Sequence, residues 1–239
     1  MKGIILTGGT GSRLLPLTKV TNKCLLPVGK KPMICHCLDI LTCAGIDDII
    51  LITGPEHMGH IISLLGSGSD FGCSLTYRVQ DKADGIAAAL KLCKGFVGDD
   101  KCAVILGDNI FEDVEPLSRE IRSFSDSTDS YKLFTKRVPD PQRFGVAVFD
   151  NEKIVDIIEK PKVHISDQAI VGLYCYDREV FDVIETLVPS VRGEYEISDV
   201  NSFMVKNRKG STFEVLSHWI DAGTHDSYMR ANKLMWRNK

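Results

Sequence analysis

The sequence predicts an α/β protein built on a mixed, mainly parallel sheet. Short apolar strands alternate with helical patterns through the first half of the chain, and the helical patterns carry leucine and isoleucine at spacings of three and four residues. Such alternation is typical of βαβ units with a mostly parallel sheet. The second half contains strands with short connections, which indicates an antiparallel or mixed lobe beside the parallel core. The 239 residues suffice for one large domain with a substantial core.

The first half contains four predicted strands, Ile4–Leu6, Ile49–Thr53, Ser74–Val79 and Ala103–Leu106. Three predicted helices lie between them, near residues 31–44, 56–66 and 84–94. Ligands of open parallel sheets bind at the carboxyl ends of the strands. The candidate binding segments are therefore the turns that follow the strands, at residues 7–13, 54–55, 80–85 and 107–109.

The second half contains four predicted strands with short connections, Tyr131–Val138, Gly145–Phe149, Ile154–Ile158 and Ile170–Tyr176. Helical patterns follow near residues 178–187 and 198–208, then a strand near 212–216 and a closing helix from about 225. The serine-rich stretch 123–130 is predicted to be a solvated loop. These elements complete a strand-rich lobe and its flanking helices.

Composition excludes several classes of protein. A net charge of −3 argues against a nucleic-acid-binding surface built on a basic face. No apolar run approaches the ~20 residues of a membrane span, and none resembles the apolar region of a signal peptide. Eight cysteines occur without a C-x-x-C pair, so we expect a reduced, cytoplasmic protein. Cys35, Cys43, Cys93 and Cys102 lie in apolar segments and are predicted to be small core residues.

The glycine-rich segment GGTGSR, residues 8–13, directly follows the first predicted strand. It is not a dinucleotide fingerprint, because Leu14 stands at the third glycine position, and it is not a Walker loop. A dehydrogenase of the NAD-binding class is further disfavoured because Thr53-Gly54, and no acid, closes the next strand. Glycines after a first strand often bind anions, and Arg13 at the end of the loop favours phosphate over a plain turn.

A series of motifs runs through the chain in a fixed order: GGTGSRLLPLTKVTNKCLLPVGKKPMI (8–34), LGDNIF (106–111), DPQRFGV (140–146), EKP (159–161), GLYCYD (172–177), RGEYEISDVN (192–201) and WIDAGTHDS (219–227). This series resembles the sugar nucleotidyltransferase family, most closely its glucose-1-phosphate thymidylyltransferase branch. The resemblance implies a three-layer α/β/α sandwich of Rossmann-like nucleotidyltransferase fold with a sugar-binding lobe. It also implies a single domain, 1–239, whose residues 1–112 mainly bind the nucleotide. Residues 113–239 would mainly bind the sugar phosphate and supply a second metal carboxylate.

The activity implied by the resemblance is Mg²⁺-dependent transfer of dTMP from dTTP to glucose-1-phosphate, giving dTDP-glucose and pyrophosphate. The nucleophile needs no general base, because the second pKa of a phosphate monoester is about 6. Charge neutralisation and alignment are needed instead. The alternatives are the same chemistry with UTP or another sugar-1-phosphate, and a non-catalytic regulatory relative. A regulatory relative is disfavoured because the catalytic cations and metal acids described next are present.

The resemblance assigns roles to individual residues. Arg13 and Lys23 are the expected catalytic cations, on the departing pyrophosphate and the α-phosphate respectively. Asp108 and Asp221 are the expected Mg²⁺ carboxylates, which should face each other across one site. The nucleotide would be bound by Leu6, Gly8, Gly9 and Gly11, with Gln80 and Gly85 at the base. The sugar phosphate would be bound by Gly145, Glu159, Lys160, Val171 and Arg192.

Three positions depart from the family pattern. Phe144 replaces a common tyrosine, Ile158 replaces the first acid of a common Glu-Glu-Lys-Pro, and Val171 replaces a common threonine. These changes leave the identity of the sugar open, but the phosphate and metal positions are intact. The sequence ends at Lys239 and resembles a short form that lacks the further helical segment of longer thymidylyltransferases, so we expect weaker feedback control, or none at the regulatory nucleotide site that this segment helps to form. Relatives suggest a homo-oligomer. His57 and His60 lack further ligands and are expected on a surface helix.

Overall fold

The structure, a computed structural model, describes residues 1–237. The strands are β1 Lys2–Leu6, β2 Pro27–Val28, β3 Lys31–Pro32, β4 Asp48–Thr53, β5 Ser74–Val79, β6 Cys102–Leu106, β7 Asn109–Phe111, β8 Tyr131–Arg137, β9 Gly145–Asp150, β10 Lys153–Glu159, β11 Gln168–Tyr176, β12 Gly210–Glu214 and β13 Trp219–Asp221. The helices are α1 Met33–Cys43, α2 Met58–Leu65, α3 Ile86–Lys91, α4 Lys94–Val97, α5 Glu115–Asp126, α6 Glu179–Thr186, α7 Ile197–Asn207 and α8 His225–Arg237.

A nine-stranded mixed sheet forms the centre of the molecule. Strands β6, β1, β4 and β5 are adjacent and parallel, as the alternation of strands and helices predicts. Strand β11 pairs antiparallel with β6 on one edge and with β8 on the other, and β12 runs parallel to β8. The predicted α/β class with a mixed, mainly parallel sheet is confirmed.

The apolar residues of β1 divide between two hydrophobic layers. Ile4 and Leu6 pack on the face that carries α3, α6 and α7, whereas Ile5 packs on the face that carries α1 and α5. Alternate residues of a strand point to opposite faces, so a central strand covered on both sides reads as a continuous apolar run. The helices on both faces form the predicted three-layer α/β/α sandwich.

The β9–β10 hairpin forms a lobe at the carboxyl ends of the parallel strands. Both β6 and β9 pair with the same edge of β11, β6 along its C-terminal half and β9 at Ala169. Because β11 runs antiparallel to β6, the hairpin stands beyond the point where β6 ends. The open space between this lobe and the parallel strands is therefore where a ligand site is expected.

The predicted strands and helices are present with boundaries shifted by at most three residues, except that the helix predicted near 84–94 is divided into α3 and α4. The predicted loop at 123–130 is wrong in its first half. Helix α5 extends to Asp126 and buries Leu117, Ile121 and Phe124 against the α1 side of the core. These positions follow the four- and three-residue spacing of an amphipathic helix. The serine-rich composition of the segment conceals this spacing.

The cysteines are unpaired thiols, and Cys35, Cys93 and Cys102 are buried as predicted. Cys43 is exposed at the end of α1, contrary to the prediction, and its thiol donates a hydrogen bond to Glu115 (3.3 Å). The stacked rings of His57 and His60 lie at the start of α2. None of the helices within residues 1–237 has the length and apolar character that a membrane span requires.

Candidate active site

A cleft of about 480 Å³ lies between the carboxyl ends of the parallel strands and the β9–β10 lobe. Its volume falls in the usual range of small-ligand sites. Thirteen of the fifteen sequence-predicted site residues line it, namely Leu6, Gly8, Gly9, Arg13, Lys23, Gln80, Gly85, Asp108, Gly145, Glu159, Lys160, Arg192 and Asp221. The structure therefore brings residues that are up to 215 positions apart into one site.

Gly11 and Val171 are the two predicted residues that do not line the cleft. Gly11 adopts a positive φ of 66° and its carbonyl accepts a hydrogen bond from Thr18 (2.7 Å), so it shapes the loop. Val171 is fully buried, and its side chain packs in the hydrophobic layer beside α1. Its neighbours Ile170 and Gly172 line the cleft instead. A contact of Val171 with the sugar can therefore come only from its backbone.

The two predicted metal carboxylates meet because of a short two-stranded sheet. Strand β7 begins directly after Asp108 and pairs antiparallel with β13, which ends at Asp221. The register places Asn109 opposite Asp221, and the Ala222 amide donates a hydrogen bond to the Asp108 carbonyl (2.8 Å). Two acids separated by more than a hundred residues are thereby fixed on one wall of the cleft.

Gly223 marks the point on which these groups converge. A Cβ atom at Gly223 would lie 2.8 Å from Asp221 Oδ1, 2.9 Å from Arg13 Nη2 and 3.5 Å from Asp108 Oδ2. Only glycine leaves this space open. Two carboxylates and a guanidinium therefore surround a small volume that a ligand or ion can enter.

Lys23 and Asp108 form a salt bridge in which both side chains are largely buried. Burial lowers the pKa of Lys23, but the surrounding negative charge, Asp108 first and Asp221 with it, outweighs this effect and the pKa rises, so the ammonium stays charged. Burial alone raises the pKa of Asp108, yet Lys23 and a hydrogen bond from Asn109 hold it below its usual value. Lys23 also lies close to Gly9, where a Cβ would be 3.1 Å from its Nζ.

Asp221 is in the opposite electrostatic situation. Burial and the nearby Asp108 carboxylate raise its pKa, and the charges of Lys23 and Arg13 offset this only in part. Its Oδ1 accepts a hydrogen bond from the Gly223 amide (3.0 Å). The negative charge of Asp221 is thus incompletely compensated within the protein, which is the condition under which a cation binds favourably.

Asn109 is a functional residue that the sequence analysis did not identify. Its Oδ1 accepts hydrogen bonds from the Gly172 amide (3.0 Å) and from Trp219 Nε1 (2.7 Å), and its Nδ2 donates to Asp108 Oδ1 (3.2 Å). One buried amide thus ties Asp108 to β11 and β13. The motif GDN contains Asn109, but the family resemblance assigns a role only to its acid, Asp108.

The Gln80 side chain has a fixed orientation at the end of β5. Its Nε2 donates hydrogen bonds to Asp84 Oδ1 (2.8 Å) and to the Gly85 carbonyl (3.3 Å). Both are acceptors, so the nitrogen must face them and Oε1 faces Gly8, where a Cβ would be only 2.5 Å away. Gln80 therefore presents a carbonyl oxygen to the cleft.

Gly85 lies where the turn after β5 meets the segment before α7. It has a φ of 112°, and a Cβ there would lie 2.4 Å from the carbonyl oxygen of Tyr195 and 2.7 Å from its nitrogen. The Tyr195 amide also donates a hydrogen bond to the Asp84 carbonyl (2.8 Å). The two walls of the cleft are therefore joined through a backbone contact that only glycine permits.

Gly85→Ala is expected to destabilise the fold by at least about 2 kcal/mol. Alanine is strained at the positive φ of this position, and its methyl group would collide with the backbone of Tyr195. Gly95→Ala is the matched control: Gly95 lies in α4 with no heavy atom within 4 Å of its Cβ position, so it should be neutral or stabilising by about 0.5–1 kcal/mol. Urea unfolding of the two variants measures the difference. Equal stabilities would show that the Tyr195 contact is dispensable.

The far end of the cleft combines a carboxylate with a hydroxyl and a glycine. Ser198 Oγ donates a hydrogen bond to Glu159 Oε2 (2.6 Å), and a Cβ at Gly145 would lie 2.5 Å from that hydroxyl. Phe144 packs against Trp219 with ring centroids 5.0 Å apart. Ser198 was not predicted, because the family resemblance assigns a role only to the arginine of the RGEYEISDVN motif. This end offers oriented hydrogen-bond acceptors beside an aromatic surface.

Lys160 and Arg192 are the cations at this end. Lys160 has a φ of 43°, a conformation that non-glycine residues rarely adopt, and its Nζ lies 3.1 Å from Glu159 Oε1. Arg192 bonds Glu196 through Nε and Nη2. Within residues 1–237, no group of three or more His, Cys, Asp or Glu side chains is arranged to hold a metal ion by itself.

Comparison with known proteins assigns the chain to a family. The family described as nucleotidyl transferase matches residues 2–237. The chain belongs to the nucleotidyl transferase family. Among curated members, it is 43% identical to the glucose-1-phosphate thymidylyltransferase of Neisseria meningitidis over 97% of this chain and 81% of that protein. It is 42% identical to that of Mycolicibacterium smegmatis over the same shares.

Solved structures of nucleotidyl transferases have the same fold as this chain. A Bacillus anthracis protein assigned as a glucose-1-phosphate thymidylyltransferase, crystallised with a sucrose, has a TM-score of 0.94 and 53% identity, covering 100% of this chain and 96% of that one. A UDP-glucose pyrophosphorylase complexed with UDP-glucose has a TM-score of 0.87 at 21% identity, covering 100% and 99%, and supports the fold alone. The chain is therefore an enzyme of the nucleotidyl transferase fold.

Proposed function

We propose that the protein is a glucose-1-phosphate thymidylyltransferase, which transfers dTMP from dTTP to glucose-1-phosphate and releases pyrophosphate. The curated relatives bearing that name support the proposal, since they match 97% of this chain. The observation that carries it is the convergence of Arg13, Asp108 and Asp221 on Gly223, beside Lys23. Two polyanions can react there only if cations neutralise and align them.

Mg²⁺ fits this group of residues. Asp108 and Asp221 offer the hard oxygen ligands that Mg²⁺ prefers, and the space at Gly223 lies between their oxygens. Proteins commonly hold Mg²⁺ by one or two carboxylates together with substrate phosphates. When bound, the ion neutralises charge that builds up on the phosphate oxygens. We propose that these two carboxylates hold it.

Arg13 and Lys23 act on the phosphates in this proposal. Arg13 is exposed at the end of the glycine loop and can form two parallel hydrogen bonds to the β- and γ-phosphates. Lys23 is held in place by Asp108 and supplies a fixed charge near the α-phosphate. Leu6, Gly8 and Gly9 line the cleft, and the nucleotide can lie close to the backbone there. The anionic sugar phosphate then attacks the α-phosphorus, and pyrophosphate leaves.

Gln80 selects the base in this proposal. The carbonyl oxygen that it presents can accept a hydrogen bond from N3–H, which thymine and uracil carry and cytosine lacks. This contact favours dTTP and UTP over CTP but does not separate dTTP from UTP. The same chemistry with UTP is therefore the second candidate, and Gly85 lets the backbone lie close to either base.

We assign the sugar phosphate to the β9–β10 lobe. Glu159, held by Ser198, accepts hydrogen bonds from sugar hydroxyls, and the backbone at Gly145 and Val171 contributes further contacts. Lys160 and Arg192 bind the 1-phosphate. The chain thus acts as one domain, with residues 1–112 mainly on the nucleotide and 113–239 mainly on the sugar phosphate and the second carboxylate.

The experiment that tests this proposal is pyrophosphate release by the purified protein with Mg²⁺. It crosses dTTP, UTP, CTP, ATP and GTP with glucose-1-phosphate and other sugar-1-phosphates. We expect turnover with glucose-1-phosphate and dTTP, none with CTP, and loss of turnover in EDTA, whereas turnover with UTP alone would favour the second candidate. Turnover only with another sugar would reassign the substrate. Silence with every pair would favour a regulatory protein.

A further inference from the structure

Arg192 lies at the sugar end of the cleft and contacts three carboxylates at clearly different distances. Its Nη2 lies 2.8 Å and 2.7 Å from the two carboxylate oxygens of Glu196, and its Nε lies 3.1 Å from Oε1. The contacts with Glu159 and Glu194 are longer, at 3.4 Å and 3.5 Å. Glu196 is therefore the residue that sets the orientation of the guanidinium.

Glu196 is itself firmly positioned. It is 8% exposed and immediately precedes α7. Its Oε1 also accepts a hydrogen bond from Ser190 Oγ (2.7 Å), and that hydroxyl accepts one from the Arg192 amide (3.2 Å). Glu196, Ser190 and Arg192 thus form a closed ring of hydrogen bonds. This ring attaches an exposed loop to the start of a helix.

The ring leaves part of the guanidinium available. Arg192 donates through Nε and Nη2 to Glu196, and no acceptor within residues 1–237 bonds its Nη1. Arginine carries five N–H donors in a planar arrangement, so an arginine held along one edge can still bind a phosphate with another. Fixing a long side chain before the ligand arrives removes an entropic cost of binding.

We propose that Glu196 is a positioning residue for the sugar 1-phosphate, which acts by holding the Arg192 guanidinium with Nη1 directed to the ligand. This inference rests on the proposed function and adds a residue to it. Glu196 hydrogen-bonds Ser190 and Arg192, and neither of these residues belongs to the proposed nucleotide site. Its effect is therefore confined to the binding of the sugar phosphate.

Glu196→Gln and Glu194→Gln form a matched pair that separates positioning from charge. Each removes one negative charge beside Arg192, but only Glu196 makes the short contacts. We expect Glu196→Gln to raise the KM for glucose-1-phosphate about tenfold, because a neutral amide holds the guanidinium less firmly. The KM for dTTP should stay within about threefold. Glu194→Gln removes only a weak exposed pair and should leave the KM for glucose-1-phosphate within about threefold or lower it. Equal effects of the two variants would overturn the proposal.

A double-mutant cycle distinguishes positioning from direct contact with the sugar. If Glu196 acts through Arg192, Glu196→Gln should change kcat/KM for glucose-1-phosphate by less than about twofold in an Arg192→Met background. If Glu196 bonds a sugar hydroxyl directly, its full effect should persist in that background, and the proposal fails. Thermal unfolding of each variant verifies that it is folded.

Calorimetric binding of glucose-1-phosphate keeps this test separate from that of the proposed function. A wild-type protein that turns over, together with equal Kd values for Glu196→Gln and Glu194→Gln, contradicts only the role of Glu196. A wild-type protein that binds glucose-1-phosphate without turnover contradicts the proposed function, and the Kd of Glu196→Gln still tests the role of Glu196. No binding by the wild type contradicts both.

Discussion

Asp221→Asn should lower Mg²⁺-dependent turnover by about 10³-fold or more and at the same time stabilise the ligand-free protein. The activity is lost because one of the two proposed metal carboxylates is gone. The stability rises because burial and Asp108 oppose the charge of Asp221, as its raised pKa indicates. A neutral side chain of the same shape removes this repulsion and can keep the bond from the Gly223 amide. We expect a gain of about 0.5–2 kcal/mol in urea unfolding.

Asp108→Asn is the matched variant, with the same chemical change and the opposite effect on stability. It leaves the Lys23 ammonium buried without its direct counter-charge, which should destabilise the fold by about 3 kcal/mol. Both variants should lose the rise in Tm that Mg²⁺ and dTTP together give the wild type. If Asp221→Asn destabilised the protein as much as Asp108→Asn, the two carboxylates would not be in the electrostatic relation described here.

Arg13→Ala should reduce kcat by about 10³-fold with almost no effect on stability. Arg13 is exposed, and the charge that it acts on in the protein is that of Asp221, a proposed metal carboxylate, rather than a core residue. Its proposed task is to neutralise charge on the departing pyrophosphate, and removing such a cation typically costs this much in rate. Steady-state kinetics should show most of the loss in kcat rather than in the KM for glucose-1-phosphate. The free energies of unfolding of Arg13→Ala and the wild type should agree within about 0.5 kcal/mol.

Arg13→Lys and Arg230→Ala complete this experiment. Lysine keeps the charge but not the planar pair of donors, so Arg13→Lys should recover only part of the rate. Arg230 is an exposed arginine on α8 outside the cleft, and its removal should leave kcat unchanged. A full rate in Arg13→Ala would assign the pyrophosphate to another cation.

The sequence predicted the fold well because the parallel core carries a strong local signal. Strands β1, β4 and β6 are largely apolar runs, and a helical pattern follows each of β1, β4 and β5 along the chain. The helix α5 was not predicted, because its many polar residues obscure the helical spacing of Leu117, Ile121 and Phe124. The strands β7 and β13 have three residues each and depend on their mutual pairing, which no local pattern reveals.

The position of the site was predicted from the rule that ligands bind where parallel strands end, and its residues from resemblance. The supporting contacts were not predictable in this way. Asn109 ties Asp108 to Trp219, Ser198 holds Glu159, and Glu196 holds Arg192. Each of these contacts joins segments whose distance in space depends on the whole fold, or selects one partner among several acids. The side chain of Val171 faces the core because of the register of β11, which the motif does not specify.

The most direct measurement of the central claim follows an isotope through the reaction. Glucose-1-phosphate carrying ¹⁸O at its three non-bridging phosphate oxygens is incubated with dTTP, Mg²⁺ and the protein. The masses of the products are then measured by mass spectrometry. Attack of the sugar phosphate on the α-phosphorus predicts dTDP-glucose that contains all three labelled oxygens, and pyrophosphate that contains none. Label in the pyrophosphate, or the absence of any labelled nucleotide sugar, would contradict the account.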